Sequence, residues 1–124
     1  SSFSPAFVAA GVACAVAGHA LMTWAMMRNN FFSALVRIQS ERGHHVTTQG
    51  PYRFVRHPGY VGMLMFSVAT PFMLGSSWAF VPAAINLFVG ALRTSLEDRT
   101  LHSELDGYDD YTRVVPYRLL PGIW

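Results

Sequence analysis

One uncharged apolar run near the amino end most restricts the folds open to this chain. Residues 5–27 read PAFVAAGVACAVAGHALMTWAMM and contain no aspartate, glutamate, lysine or arginine. The run exceeds the ~20 residues that a helix needs to cross the apolar core of a bilayer. Arg28, Asn29 and Asn30 follow it as a polar stop, unlike the small-residue cleavage site of a signal peptide. The pattern predicts a transmembrane helix, with His19 turned towards the interior of a helical bundle.

Two more apolar runs, residues 60–74 and 78–92, are separated by a short Gly-Ser-Ser turn. Each is somewhat short for a complete crossing unless it includes flanking residues, and the pair is best interpreted as a helical hairpin. In the polar segment that follows, leucines at helical spacing indicate an amphipathic cytoplasmic helix that ends near Gly107 or shortly after it. Beyond it, Pro116 and Pro121 predict an extended tail.

The predicted fold is an all-α integral membrane helical bundle with three transmembrane helices and a cytoplasmic amphipathic carboxyl-terminal segment. The composition agrees, since 52% of the residues are hydrophobic and 13% are charged, against about 25% charged in soluble proteins. We expect one membrane domain over residues 1–124, as the carboxyl-terminal part of a longer protein. Its predicted parts are a transmembrane helix at 5–27, an interfacial helix and cofactor loop at 28–58, the hairpin at 59–92 and the carboxyl-terminal segment at 93–124.

The charged residues predict the orientation of the chain and exclude some functions. All nine basic residues are arginines, and they lie before and after the hairpin but not at its tip. By the positive-inside rule both arginine-containing segments face the cytoplasm, and we expect a bacterial inner-membrane protein whose active site faces that side. Long apolar runs interrupt the arginines, which argues against nucleic acid as a partner. Cys14 is the single cysteine and the histidines lack the spacing of metal ligands, so no metal is expected.

Turn residues and charges gather in GPYRFVRHPGY, residues 50–60, immediately before the second apolar run. Pro58 suits the first turn of a helix, and the first amides of that helix would be free to bind a carboxylate or phosphate. Arg56 and His57 add hydrogen-bond donors, and the tyrosines offer aromatic faces to a ring or a cation. This pattern predicts capture of a zwitterionic or anionic cofactor at the membrane surface. The alternative is that these side chains are interfacial anchors.

Arg93 and Glu97 form a second candidate site at the end of the third apolar run. They are four residues apart and therefore lie on one face of a helix. A carboxylate and a guanidinium at the membrane boundary can hold a cationic reactant and a substrate carboxylate side by side. A surface ion pair is the alternative, and the pair matters as a site only if it faces residues 50–60.

Taken in order, these motifs resemble a known family. The blocks are RIQSERGHHVTTQGPYRFVRHPGYVG, an apolar hairpin, RTSLE and GYDDYTRVVPYRLLPGIW. They look like the isoprenylcysteine carboxyl methyltransferase family of integral membrane enzymes, which is related in this region to phospholipid N-methyltransferases. The resemblance covers about residues 29–124. It implies S-adenosyl-L-methionine as the cofactor, in a pocket between the hairpin and the carboxyl-terminal segment, and a lipid-side tunnel for a lipophilic or lipidated substrate among membrane lipids.

The resemblance also implies roles for single residues. Arg93 matches the position that touches the methyl acceptor, Glu97 matches an acidic cofactor contact, and we expect both to be catalytic. The other expected cofactor contacts are Gln39, His44, His45, Val46, Thr47, Tyr52, Arg56, His57, Pro58, Gly59 and Tyr60; residues 44–47 are expected to be strand-like. Methyl transfer to a carboxylate needs positioning and desolvation more than a strong base, whereas an amine acceptor would need Glu97 or His57 to accept a proton.

Three alternatives to methyl transfer onto an isoprenylcysteine-type carboxylate stay open at this point. The first is phospholipid N-methylation. The second is an NADPH-dependent membrane sterol or lipid reductase, which the acidic carboxyl-terminal segment disfavours. The third is a non-catalytic membrane subunit in which Arg93 and Glu97 are a structural pair.

Overall fold

A computed structural model describes residues 3–32, 38–39, 41 and 43–124, and four α-helices and two complete 3-10 turns lie within these residues. No strand occurs in these described ranges, in agreement with the predicted all-helical fold. The helices are α1 (Pro5–Arg28), α2 (Pro58–Leu74), α3 (Phe80–Glu104) and α4 (Tyr108–Val114), and the 3-10 turns span Gly50–Arg53 and Ser77–Ala79.

The predicted amino-terminal helix and the hairpin are present, and local residues explain where they begin and end. Pro58 is the first residue of α2, where its missing N–H removes no helical hydrogen bond. At the other end Gly75 adopts a left-handed conformation with φ of 62°, and its N–H donates to the carbonyl of Phe72. This cap stops α2 and turns the chain towards α3.

Glycines allow α1 and α2 to approach each other with their backbones nearly in contact. A Cβ placed on Gly18 would lie 2.6 Å from the carbonyl oxygen of Gly62 and 2.8 Å from Cβ of Met65. A Cβ on Gly11 would lie 2.7 Å from Cβ of Phe72. Lipid does not drive helices together by the hydrophobic effect, so close backbone packing of this kind supplies the attraction through dispersion.

The carboxyl-terminal helix differs from its prediction. It is not a separate amphipathic element, because α3 continues without a break from Phe80 through Arg93 to Glu104. No glycine or proline between Gly90 and Glu104 would interrupt it. The helix ends at Glu104 with Leu105 as its C-cap, whereas its end was predicted near Gly107 or shortly after it. Gly107, with φ of 85°, is the N-cap of α4.

The last ten residues are also not the extended tail that Pro116 and Pro121 predicted. Bends and turns fold this stretch back on itself, and the N–H groups of Leu119 and Leu120 both donate to the carbonyl of Trp124. Prolines limit φ but are fully compatible with turns, which is the conformation adopted here.

Two further predictions concern residues 28–58 and His19. Much of the predicted interfacial helix falls on residues 33–37, outside the described part of the chain. Where residues 29–57 are described, they are mostly irregular, apart from Glu41 and the turn Gly50–Arg53, which are 3-10. His19 is exposed on α1 and does not face the interior of the described bundle, so that expectation is wrong.

The helices are compatible with a membrane bundle. Pro5–Arg28 and the helical stretch Ser77–Glu104 are long and apolar enough to cross a bilayer, and Pro58–Leu74 is a shorter apolar helix that packs against α1 and α3. Large apolar side chains such as Val16, Met27, Ile85 and Phe88 are exposed along these helices. That is the pattern of an integral membrane protein, whose apolar surface faces lipid.

We predict that Gly18→Ala destabilises the protein by about 1–3 kcal/mol, because its methyl group meets the α2 backbone, which cannot move aside. The matched control is Gly90→Ala, where the new Cβ would meet Cδ2 of Leu64, the mobile end of a side chain. Unfolding by SDS in mixed micelles measures both variants. Equal stability of Gly18→Ala and the wild type would contradict the close packing of α1 and α2.

Candidate active site

A cavity of about 440 Å³ lies where the loop before α2, the polar half of α3 and α4 come together, next to the carboxyl end of α1. It joins residues that are distant in sequence, and it combines charged, aromatic and apolar side chains. Its lining comprises Met26, Asn29, Phe31, Phe32, His44, His45, Val46, Thr47, Tyr52, Arg56, His57, Gly59, Tyr60, Met63, Arg93, Glu97, Leu101, Leu105, Tyr108 and Tyr111.

Tyr60 joins the two predicted sites across the hairpin. Its hydroxyl donates to Oε2 of Glu97 at 2.5 Å and accepts from Nε of Arg93 at 2.8 Å. The Arg93 guanidinium also lies 5.9 Å from the centre of the Tyr60 ring. Arg93 and Glu97 share one face of α3, and that face looks onto the first turn of α2. The condition for a site, that this pair faces residues 50–60, is therefore met.

Residues 44–47 form one wall of the cavity as an irregular segment, neither helix nor strand. The His44 ring stacks on Phe31 with 4.5 Å between ring centres, and His45 meets the same ring edge-on at 4.9 Å. Gln39 holds this wall from behind, because its N–H donates to Nδ1 of His44 and its side-chain amide donates to the carbonyl of Phe31.

A set of buried tyrosines also lines the cavity, and Val46 packs against the cluster that contains Tyr108 and Tyr111. Tyr52 accepts a hydrogen bond on its hydroxyl from Nδ2 of Asn29 at 3.0 Å. The hydroxyl of Tyr111 donates to the carbonyl of Tyr52 at 2.6 Å, which ties α4 to the 3-10 turn. Tyr111 lies one turn after Tyr108 on α4, so both rings face the cavity.

Asp98 accepts hydrogen bonds from four side chains directly behind the cavity. Its Oδ1 accepts from the Tyr108 hydroxyl at 2.7 Å and from Nε2 of His57 at 3.1 Å. Its Oδ2 accepts from a terminal nitrogen of Arg56 at 3.1 Å and from Nε of Arg118 at 3.2 Å. Asp98 is 2% exposed, so this carboxylate is shielded from water and depends on these partners.

The folded tail completes the same region through its backbone. The N–H of Arg56 donates to the carbonyl of Tyr117 at 2.8 Å, and the N–H of His57 donates to the carbonyl of Arg118 at 3.0 Å. The Arg118 guanidinium lies over the Trp124 ring at 5.0 Å. The tail therefore lies against the segment that carries the predicted cofactor residues.

The structure brings together most of the residues predicted from the sequence. Two lie outside the lining: Gln39, which is buried behind the loop, and Pro58, which is buried at the start of α2. Those that line the cavity are His44, His45, Val46, Thr47, Tyr52, Arg56, His57, Gly59, Tyr60, Arg93 and Glu97.

Sequence reasoning missed Asp98, Tyr108, Tyr111 and Arg118. Asp98 stands in an acid-containing segment that is typical of a solvated surface, which concealed its burial. A usable signal was the spacing of Tyr108 and Tyr111 after Gly107, because two tyrosines three apart share one helix face.

Burial changes the acidity of the tyrosines in this region. It raises the pKa of Tyr52 to about 12, although the hydrogen bond from Asn29 acts in the opposite direction. Burial also raises the pKa of Tyr108 and that of Tyr111 well above the ordinary value, and for Tyr108 the bond to Asp98 adds to the effect. These hydroxyls stay protonated at neutral pH, and those of Tyr108 and Tyr111 donate to Asp98 and to the carbonyl of Tyr52.

Comparison with known proteins assigns the chain to a family. The profile of the isoprenylcysteine carboxyl methyltransferase (ICMT) family matches residues 11–103, which contain Tyr60, Arg93 and Glu97. The chain belongs to the ICMT family. The ICMT match ends before α4, so Tyr108 and Arg118 lie beyond it.

Individual ICMT relatives agree with the profile. The chain is 41% identical over 54 residues to protein-S-isoprenylcysteine O-methyltransferase A of Arabidopsis thaliana, covering 44% of this chain and 27% of that protein. It is 31% identical over 87 residues to the Schizosaccharomyces pombe protein-S-isoprenylcysteine O-methyltransferase, covering 68% of this chain and 37% of that protein. For the Dictyostelium discoideum protein of the same name the identity is 28% over 124 residues, covering 91% of this chain and 48% of that protein. The chain thus spans a quarter to a half of the length of these relatives.

We predict that this ICMT family member loses stability at alkaline pH. Because the folded state raises the pKa of Tyr52 to about 12, the stabilisation from its protonated hydroxyl is complete below about pH 10, the pKa of an unfolded tyrosine. It falls as the pH rises from about 10 to 12, since only the unfolded chain releases its proton there. Tyr111 and Tyr108 add to the same trend.

Thermal unfolding in detergent between about pH 8 and 11 measures this effect. Tyr111→Phe should lower stability at neutral pH by about 1 kcal/mol, because the bond to the Tyr52 carbonyl is lost, and should show a shallower alkaline decline. An identical decline in this variant and the wild type would refute the contribution of Tyr111.

Proposed function

We propose that this chain carries the S-adenosylmethionine site of a membrane methyltransferase that methylates a carboxylate of the isoprenylcysteine type. The observation that carries the proposal is the convergence of Tyr60, Glu97 and Arg93 in one cavity, within a chain of the ICMT family. The chain spans less than half of the length of the relatives named above, and the proposal concerns the residues described here.

The residues of the cavity fit the chemistry of S-adenosylmethionine. This cofactor carries a flat adenine ring, a cationic sulfur and a zwitterionic amino acid group. The stacked Phe31 and His44 and the tyrosines offer aromatic faces to the ring and to the cation. Glu97 offers a carboxylate to positive charge, and Arg56 offers a guanidinium to a carboxylate. A volume of about 440 Å³ lies within the ~300–1,000 Å³ typical of small-molecule sites.

The mechanism we propose relies on position rather than on a base. When bound, S-adenosylmethionine supplies an electrophilic methyl group on a positively charged sulfur. Glu97 would hold positive charge on the bound cofactor, and Arg93 would orient the acceptor carboxylate towards it. Tyr60 fixes both groups, because its hydroxyl lies between them. A carboxylate acceptor is already nucleophilic, so no side chain needs to remove a proton.

The apolar part of the lining supports a lipophilic acceptor. Met26 of α1, Phe32 and Met63 of α2 line the cavity on the side of the apolar helices. Methionine side chains adapt to irregular apolar ligands. The names of the relatives given above specify an isoprenylcysteine as their substrate, and an isoprenoid chain has this chemistry.

We further propose three membrane crossings, by α1, α2 and α3, with the cavity at the cytoplasmic face. The support is the position of the arginines, which lie at the carboxyl end of α1, in the loop before α2 and from Arg93 onward, but not at the turn between α2 and α3.

Cofactor binding tests the proposal. We expect the full-length protein in detergent to bind S-adenosylhomocysteine in isothermal titration, and Glu97→Gln to weaken binding by about tenfold or more through loss of a charged hydrogen-bond acceptor. The control is Glu104→Gln, at the exposed end of the same helix. No binding by the wild type, or equal loss in both variants, would overturn the assignment. Competition by NADPH would favour the reductase alternative.

Methyl transfer tests the role of Arg93. Prenylcysteine analogues, isoprenoid acids and phosphatidylethanolamine are offered as acceptors with labelled S-adenosylmethionine. We expect methyl transfer to the acceptors that carry a carboxylate. Arg93→Gln should raise the KM for the acceptor about tenfold or more, because the guanidinium that orients the carboxylate is lost. Arg99→Gln, on the exposed side of α3, is the control. Transfer to phosphatidylethanolamine alone would reassign the acceptor to an amine.

A further inference from the structure

Asp98 lies next to Glu97 in sequence but has a different environment. Glu97 lines the cavity, whereas Asp98 is buried behind it and is absent from its lining. Consecutive residues of an α-helix point about 100° apart, which places the two carboxylates on different faces of α3. Glu97 meets Tyr60 of α2. Asp98 instead meets the loop before α2, α4 and the tail.

Two of the partners of Asp98, Arg56 and His57, lie in the predicted cofactor segment and line the cavity themselves. A carboxylate flanked by guanidinium groups can only accept, so Nε2 of His57 carries the proton of this bond. Nε of Arg56 finds no hydrogen-bond acceptor among the described residues, and the Arg56 side chain is 6% exposed. Asp98 is therefore the acidic partner on which the buried charge of Arg56 depends.

The other two partners of Asp98 come from segments that follow α3. Tyr108 belongs to α4, and Arg118 belongs to the tail, whose carbonyls also accept from the backbone N–H groups of Arg56 and His57. His102, half-exposed one turn along α3, lies 3.5 Å from the same carboxylate and bonds to Asp109. Asp98 thus joins the loop before α2, which is about 40 residues away in the sequence, to α4 and the tail.

We infer that Asp98 is a positioning residue for the methyl-donor site: through Arg56, His57 and Arg118 it holds the cofactor segment and the tail in one arrangement. It does not touch the cavity, and it acts on a bound donor through the side chains that do. This inference rests on the proposed function for its effect on donor affinity, but its effect on the order of residues 56–57 does not depend on that function.

The variants are chosen so that the protein keeps its fold. Asp98→Asn removes the negative charge and places an amide N–H donor where the partner side chains are themselves donors. It is therefore the stronger change and the one that risks misfolding. Arg118→Gln is milder, because Arg118 is about one third exposed on its side chain. The matched control is Arg113→Gln, an exposed arginine of the same region whose carboxylate partner is Asp110.

Hydrogen exchange and donor binding are measured on the full-length protein in detergent. We expect faster amide exchange in the peptide containing residues 56–57 for Asp98→Asn and Arg118→Gln, and a Kd for S-adenosylhomocysteine raised about 3- to 10-fold for the folded fraction of Arg118→Gln. Arg113→Gln should match the wild type in both measurements. The KM of the acceptor should change much less than the donor Kd.

Unchanged exchange in Arg118→Gln and in a folded Asp98→Asn would overturn the inference. Faster exchange with an unchanged donor Kd would also overturn it, because the network would then stabilise the fold without positioning the site. If the wild type binds no donor, the proposed function fails, and faster exchange in the two variants but not in Arg113→Gln still supports the positioning of residues 56–57 by Asp98.

Discussion

The burial of one carboxylate, that of Asp98, determines how the polar end of this protein is arranged. An ionised carboxylate removed from water costs several kcal/mol unless it is paired and hydrogen-bonded. Asp98 meets this requirement with donors from the loop before α2, from α4 and from the tail. Since no local segment could supply them all, these segments fold onto α3 together, and the cavity forms between them.

Helix α3 connects this network to the candidate active site, because it carries both on one rigid element. Arg93 and Glu97 face Tyr60 across the cavity, while Thr94 and Asp98, one residue further along in each case, are buried on the adjoining face. The helix is continuous from its apolar start to Glu104. A shift of α3 relative to the tail would therefore change the cavity as well, and the two sets of contacts stabilise the same position of the helix.

Much of the fold could be predicted from the sequence, because lipid-facing helices leave a local pattern of uncharged residues and breakers. The pairing of residues 50–60 with Arg93 and Glu97 was predictable from the family resemblance and the helical spacing. The role of Asp98 was not predictable, since its partner His57 is 41 residues away and one acid among several in a polar segment is typical of solvated surface. The continuity of α3 was missed because a change in composition suggested a boundary where no residue breaks the helix.

The glycine contacts deep in the helical part also bear on the active site. Gly62 lies one turn after Pro58, and a Cβ added there would be 2.8 Å from the backbone nitrogen of Met22. The close approach of α1 at this point directs its carboxyl end to the cavity, where Met26 and Asn29 become lining residues and Asn29 bonds to Tyr52. In lipid such packing, rather than the hydrophobic effect, fixes one helix against another. A small-residue interface between membrane helices thus determines where the first turn of α2 meets the residues that would receive the cofactor.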